Sequence, residues 1–329
     1  MRGIKASWIL FTAAIKAVFR RLFRGSRRSG WSWTFEVVAT CLREVFLQVE
    51  KLPTITEQRR FLDMFAFSTG LLSLVRVEPI DIKGIPARWF IPSDETGEAV
   101  VYYLHGGGYV FEHQQPDGLA AQVAQATRSR VLALNYRLAP EHPFPAAVED
   151  AMAGYHFLLE QGINPSRLAV AGDSAGGGLA VAVLLSLREA KERLPALAML
   201  LSPWVDLACL GESMVANKSY DYLTQQLALQ WAGWYLGDAE PDNPLASPVN
   251  ARLDGLPPLY IQAGGAEILI DQIKAFELQA RADGARVQLD IWKNMNHDFQ
   301  AFGNLVPECS QALQKIGEVF AQHIPAGPA

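Results

Sequence analysis

Cysteine is scarce. The 329 residues contain three, Cys41, Cys209 and Cys309, an odd number at wide spacing that offers neither a disulfide framework nor a zinc site. A reducing cytoplasm is the expected compartment, and no metal is implied. Phosphate-cradling G-K-[ST] is missing, which removes the P-loop nucleotide binders. Long apolar runs are missing too. The best candidate, near the N-terminus, is broken by Lys16 well short of the roughly 20 residues a spanning helix needs. The basic stretch 20–28 follows it rather than a small-residue cleavage site, so a cleaved signal is not expected either. Positive charge is in deficit, with 29 Lys and Arg against 34 Asp and Glu and a net charge of −5. A general affinity for nucleic acid is excluded.

The positive charge that exists is concentrated. Arg2, Lys5, Lys16, Arg20, Arg21, Arg24, Arg27 and Arg28 all precede the first acid, Glu36, and the body beyond them carries about −13. Wound as a helix, this arm places Ile4, Trp8, Phe11, Ile15, Val18, Phe19 and Leu22 on one face, with Lys5, Lys16, Arg20 and Arg24 on the flank and back. Two uses fit such a helix: a lid packed over an active site, or a peripheral helix lying in a membrane interface. The first is the commoner use of an amphipathic face.

From about residue 75 helical periodicity gives way to short β-branched and aromatic runs. Residues 75–82 and 87–91 predict an antiparallel start. Strands are then expected at 99–104, 131–135, 168–171, 196–201, 259–263 and 287–292. Helices are expected between them at 118–127, 145–161, 174–193 and 271–283, with a last one at 305–323. Such alternation predicts an α/β protein, with a mostly parallel central sheet of about eight strands flanked by helices. Two stretches stand outside the alternation and predict a helical cap: residues 1–72, and residues 205–248 within the 73–329 catalytic domain. The second carries Tyr220, Tyr222, Trp231, Trp234 and Tyr235.

The motifs lie at the strand ends. Gly172-Asp173-Ser174-Ala175-Gly176 is a G-x-S-x-G placed between an apolar strand and a helix, the context in which a tight turn lifts a serine Oγ above the sheet as a nucleophile. A bare glycine turn would need neither that context nor partners. His105-Gly106-Gly107-Gly108-Tyr109 follows the strand at 99–104. Its consecutive glycines expose N–H groups that, with the N–H of Ala175, can face a developing oxyanion. Each such donor contributes roughly 3 kcal/mol to a transition state.

Taken with the signature Tyr136-Arg137-Leu138-Ala139-Pro140-Glu141-His142-Pro143-Phe144-Pro145-Ala146-Ala147, these motifs resemble the hormone-sensitive-lipase-like family of esterases and lipases, from about residue 100 to the C-terminus. The resemblance implies an α/β-hydrolase fold with a helical cap, carboxylesterase activity and no cofactor. It also implies that Gly107, Gly108 and Ala175 supply the oxyanion-hole N–H groups.

Serine needs a base. Of six histidines, His105 belongs to the oxyanion loop and His113 follows it too closely; His142 lies in the signature, His156 in a helix and His323 near the tail. His297 remains, just past the last expected strand, where the order serine, acid, histidine requires it. The family pattern His-Gly-Phe is here His297-Asp298-Phe299. For the acid, Glu267, Asp271 and Asp254 all fall in the right interval, and Glu267 occupies the loop at a strand end. The family's Asp-Pro-Leu-x-Asp corresponds to Glu267-Ile268-Leu269-Ile270-Asp271, which carries the role to Glu267 and leaves Asp271 as an acid at a helix start. Tyr109 and Trp204 are candidates for the substrate pocket, although packing would use them equally well.

The expected reaction is hydrolysis of short- to medium-chain or bulky hydrophobic esters through an acyl-enzyme. Lactone hydrolysis, deacetylation of a small metabolite and, in another class, non-catalytic ligand binding on the same fold stay open, as does homo-oligomerisation.

Overall fold

The structure is a computed structural model that describes residues 2–65, 75–112 and 118–325, with side chains from Ala6 onward. His113, residues 66–72 of the expected N-terminal cap segment, and the side chains of Ile4 and Lys5 lie outside the described residues.

Eight strands form one sheet: β1 (Val75–Ile82), β2 (Ile85–Pro92), β3 (Val100–Leu104), β4 (Arg130–Leu134), β5 (Leu168–Asp173), β6 (Leu197–Leu201), β7 (Leu259–Gly264) and β8 (Val287–Trp292). Their order is β1-β2-β4-β3-β5-β6-β7-β8. The β1–β2 and β2–β4 pairs are antiparallel, and every later pair is parallel. The sheet is thus the mostly parallel one that the alternation predicted.

Helices cover both faces. β3 shows why: Val100, Tyr102 and Leu104 point into one core and Val101 and Tyr103 into the other, as period-2 alternation dictates. On the first side lie α5 (Ala146–Glu160) and α6 (Ala175–Glu189); on the second lie α4 (Leu119–Thr127) and α10 (Pro307–His323). A helix α9 (Ile270–Ala282) joins β7 to β8. The last helix starts at Pro307, two residues later than expected, because a 3-10 stretch (Phe299–Leu305) precedes it and Pro307 suits a first helical position.

Three helices precede the sheet: α1 (Arg2–Arg24), α2 (Trp33–Val49) and α3 (Ile55–Leu62). Ser32 caps α2 through Phe35 N, and Thr54 caps α3 through Glu57 N, with Thr54 Oγ donating back to the Glu57 carboxylate. α1 lies on α2 through small residues: Ala6, Ala13 and Ala17 are buried. The junction is fixed by Glu36, whose buried carboxylate accepts from Arg20 (3.1 Å), Arg21 (2.9 Å), Ser26 (3.1 Å) and the Arg27 N–H (3.0 Å). The aromatic and aliphatic face of α1, which the commoner use would have packed on protein, is turned to solvent instead. No helix among the described residues is long and apolar enough to cross a membrane.

The stretch between β6 and β7 contains α7 (Ser213–Ala216) and α8 (Gln225–Leu236). Its aromatics meet the N-terminal helices: Phe46 of α2 touches Tyr222 and Trp231, at ring separations of 4.8 and 6.3 Å, and Trp231 Nε1 donates to Gln58 of α3.

Candidate active site

Ser174 sits on the turn between β5 and α6 with φ 50° and ψ −119°, a strained conformation for a residue with a Cβ. Close chain approach demands the flanking glycines. A Cβ on Gly176 would lie 2.0 Å from Leu104 O, and one on Gly172 would lie 2.3 Å from Gly176 O. The turn lifts the hydroxyl above the C-terminal edge of the sheet; the N–H groups of Gly177 and Gly178 donate to Ser174 O (3.0 and 3.2 Å), whereas that of Ala175, the first residue of α6, has no carbonyl within the helix to reach.

The glycine loop after β3 runs beside this turn. Gly107 (φ 107°) and Gly108 (φ 62°) hold left-handed conformations that bare their backbone. Asp173 ties the loop to the serine turn by accepting from Gly106 N (2.9 Å) and from the Tyr103 hydroxyl (2.5 Å), a positioning role. The 136–147 signature braces the loop from the other side. Tyr136 stacks on His105 and donates to its carbonyl (2.6 Å), Ala139 N donates to Tyr109 O (3.0 Å), and Arg137 forks onto Asp150 at 2.9 and 3.0 Å. Arg59 of α3 completes the brace, donating to Val110 O and Ala139 O (2.9 Å each) and gripping Glu141 with both guanidinium arms.

His297 arrives on the turn after β8, with Nε2 2.9 Å from Ser174 Oγ and Nδ1 3.0 Å from Glu267 Oε2. Glu267, after β7, also accepts Gly264 N (3.1 Å). All three side chains are buried. The other two acids lie elsewhere. Asp271, in the first turn of α9, accepts the Ser213 N–H (2.8 Å); Asp254 is at the surface beside Arg188 and Arg252. Of the three, Glu267 alone reaches the imidazole, and its extra methylene is absorbed by the strand-end loop.

Three neighbours add contacts that the sequence did not point to: Asp221 and Ser202 carried no signal, and Asp298 was marked only as a departure from the family's glycine. Asp221 is fully buried and accepts from Ile268 N (2.7 Å) and Tyr222 N (2.8 Å), organising the backbone around Glu267 and His297. Ser202, itself at φ 43°, accepts the Asp298 N–H at 3.2 Å. Asp298 occupies the left-handed region (φ 45°, ψ 35°), which explains how it stands where the family pattern has glycine. Its Oδ2 lies 3.2 Å from His297 Nε2, the same nitrogen that faces Ser174.

These charges shift one another. Burial pulls the His297 imidazole down, but Asp298, Glu267 and Asp221 outweigh it and hold the pKa above its ordinary value. Burial raises the carboxyls of Glu267 and Asp221, against the opposing pull of His297. Burial raises Asp298 furthest, with Asp173, Glu267 and Asp221 adding to the effect. The direction that the geometry supports is a His297 pKa held up by the Asp298 carboxylate 3.2 Å from Nε2.

A roof of aromatics closes the site. Tyr222 leans on His297 at 5.9 Å, and Trp231 lies over Gly108 so closely that a Cβ there would be 2.5 Å from its ring. Tyr109 is stacked flat on Tyr235 at 3.7 Å, and Trp204 donates Nε1 to Asp206 O, so both candidate pocket residues are buried and engaged in packing. A separate cleft of about 190 Å³, lined by Thr96, Arg128, Arg167 and Phe320 among others, opens at the opposite ends of the strands and holds none of these groups.

Residues 101–301 match the model of a family described as alpha/beta hydrolase fold. The chain belongs to that family. Within this hydrolase family, an acetyl-hydrolase of Streptomyces hygroscopicus is 44% identical over 250 residues, spanning 75% of this chain and 83% of that one. An esterase of Acinetobacter venetianus is 35% identical over 248 residues, 74% and 81% of the two chains. A crystal structure of an esterase from the bacterial hormone-sensitive lipase family superposes with a TM-score of 0.79 at 40% identity, covering 86% of this chain and 98% of that one. The hydrolase described here is a hormone-sensitive-lipase-like carboxylesterase.

Proposed function

We propose that this hydrolase cleaves short- to medium-chain carboxylic esters through a Ser174–His297–Glu267 triad and an acyl-enzyme. The observation that carries the reading is the continuous buried line from Ser174 Oγ through the imidazole to Glu267, at 2.9 and 3.0 Å. His297 Nε2 takes the hydroxyl proton as Oγ attacks the ester carbonyl, and the N–H groups of Gly107, Gly108 and Ala175 hold the resulting oxyanion. His297 then protonates the departing alkoxide, and a water molecule activated by the same nitrogen hydrolyses the acyl-enzyme. Glu267 fixes the ring orientation and stabilises the imidazolium.

Two further assignments complete the reading. Within the expected cap segments 1–72 and 205–248, α2, α3 and the stretch between β6 and β7 cover the site, and their roof of Tyr222 and Trp231 crowds it and limits the acyl group. Tyr109 follows the oxyanion glycines, and the Trp204 N–H bonds Ser174 O at 2.8 Å, so the two back the acyl side. The acetyl-hydrolase relative favours acyl groups at the short end. The free cysteines accord with a reducing compartment such as the cytoplasm.

Initial rates on p-nitrophenyl esters from acetate to palmitate test the proposal. Turnover is expected to be highest on the shorter chains, and Ser174→Ala is expected to lose about 10⁴-fold or more in kcat. Full activity in Ser174→Ala, or no turnover of any ester by the unmodified protein, sinks it.

A further inference from the structure

The apolar face of α1 is unpartnered. Trp8 (65% exposed), Phe11, Ile15, Phe19, Leu22 and Phe23 (78% exposed) lie along it, opposite the line of Ala6, Ala13 and Ala17 that packs on α2. The four aromatics alone present roughly 400–600 Å² of ring surface, as much as the largest apolar patch of an ordinary soluble monomer. The surface runs the length of a 23-residue helix. It points away from the body and so covers neither the site nor the core.

Charge decides between occupants. The helix and its connection to α2 contain no acidic residue, and the first acid, Glu36, is consumed by Arg20 and Arg21 beneath. Lys16 is largely exposed even while paired with Glu44, and Arg24 is exposed in the last turn. The rest of the molecule is acidic. A second copy pairing α1 on α1 would bring one acid-free helix against another, with no opposite charge on the partner helix to meet Lys16. An apolar stripe with a basic flank on a helix too polar to span fits a lipid surface that is itself anionic.

We propose that α1 is an in-plane membrane helix that seats this hydrolase on anionic lipid, with Trp8, Phe11, Ile15, Phe19 and Leu22 entering the headgroup–acyl boundary and Lys16 on the flank of that face meeting the phosphates. The fixed Glu36 hub makes α1 a rigid part of the molecule, so docking sets the position of the whole body. The proposal is independent of which ester is cleaved.

Flotation of the full chain with vesicles of phosphatidylcholine, with and without phosphatidylglycerol, tests it. Binding is expected only with the anionic lipid. It should fall at least tenfold between about 0.1 M and about 1 M salt, where the Debye length shrinks from about 10 Å to about 3 Å. Phe11→Ser combined with Phe19→Ser is expected to abolish binding, and Lys16→Gln to weaken it several-fold, both with unchanged hydrolysis of a soluble p-nitrophenyl ester. Failure to float with phosphatidylglycerol vesicles overturns the proposal, as does flotation that the double serine variant retains. So does a dimer in sedimentation velocity that the serine variant dissociates while the native chain ignores vesicles. Loss of ester hydrolysis in every form, by contrast, overturns the functional reading and leaves the docking measurement standing.

Discussion

Replacing Asp298 by Asn is expected to move the acid limb of the kcat/KM profile to lower pH. The side chain keeps its size, and asparagine tolerates the left-handed backbone at this position, so the turn that carries His297 is preserved. What changes is the charge 3.2 Å from His297 Nε2. Two unit charges about 4 Å apart interact by about 4 kcal/mol at an effective dielectric constant of about 20, equivalent to about 3 pH units on the histidine. Burial and the carboxylates of Asp173, Glu267 and Asp221 oppose a charge on Asp298, so the expected fall is roughly 1–3 pH units. The direction follows from the chemistry: the base must be neutral to take the serine proton, its pKa is held up by the carboxylate, and activity is lost as pH falls through that raised value. Removing the carboxylate therefore extends activity toward acid. The assay is kcat/KM for p-nitrophenyl acetate or butyrate across the stable pH range of each protein, with thermal melts alongside. A limb that stays put, or moves up, refutes the placement of Asp298 against His297.

Other expectations follow from the same geometry. Glu267→Gln is expected to cost about 10³–10⁴-fold in kcat with little change in KM, whereas Asp254→Asn leaves the rate unaltered; steady-state kinetics on one ester separates them. Gly108→Ala meets a left-handed backbone (about 1–2 kcal/mol) and the Trp231 ring (about 1–3 kcal/mol), so both melting temperature and kcat should fall, and a stable, fully active variant would contradict the roof described over the oxyanion loop. Glu36→Gln leaves Arg20 and Arg21 without their carboxylate and should loosen α1 by roughly 1–3 kcal/mol, read as faster proteolysis between α1 and α2 with ester hydrolysis in solution retained.

The serine turn, the glycine loop and His297 were legible because each is a local pattern. A G-x-S-x-G between an apolar strand and a helix carries its geometry within a dozen residues, and the strand–helix alternation that follows leaves few topologies. Glu267 was reachable through its place at a strand end and the family pattern. Asp221, Ser202 and the contact of Asp298 with the imidazole were not. They meet the site through long-range packing, and an isolated aspartate in an aromatic loop resembles any other. α1 shows a different limit. Periodicity states which residues share a face, but not which face is down, and here three buried alanines, flanked by the partly buried Ile9 and Leu10, do the packing while the aromatic side chains face outward. Small residues in a helix carry almost no hydrophobic signal, yet they permit the closest approach between helices.

Ser174 and His297 are hydrogen-bonded across 123 positions of sequence, and His297 and Glu267 across 30, from the ends of three different strands. A chain that has collapsed, formed its helices and paired β3 with β5 still has no nucleophile–base contact until β6, β7 and β8 are stacked in order. Regain of ester hydrolysis during refolding should therefore lag behind the recovery of far-ultraviolet circular dichroism. The appearance of turnover would time the docking of the last strand more sharply than any spectroscopic average over the molecule.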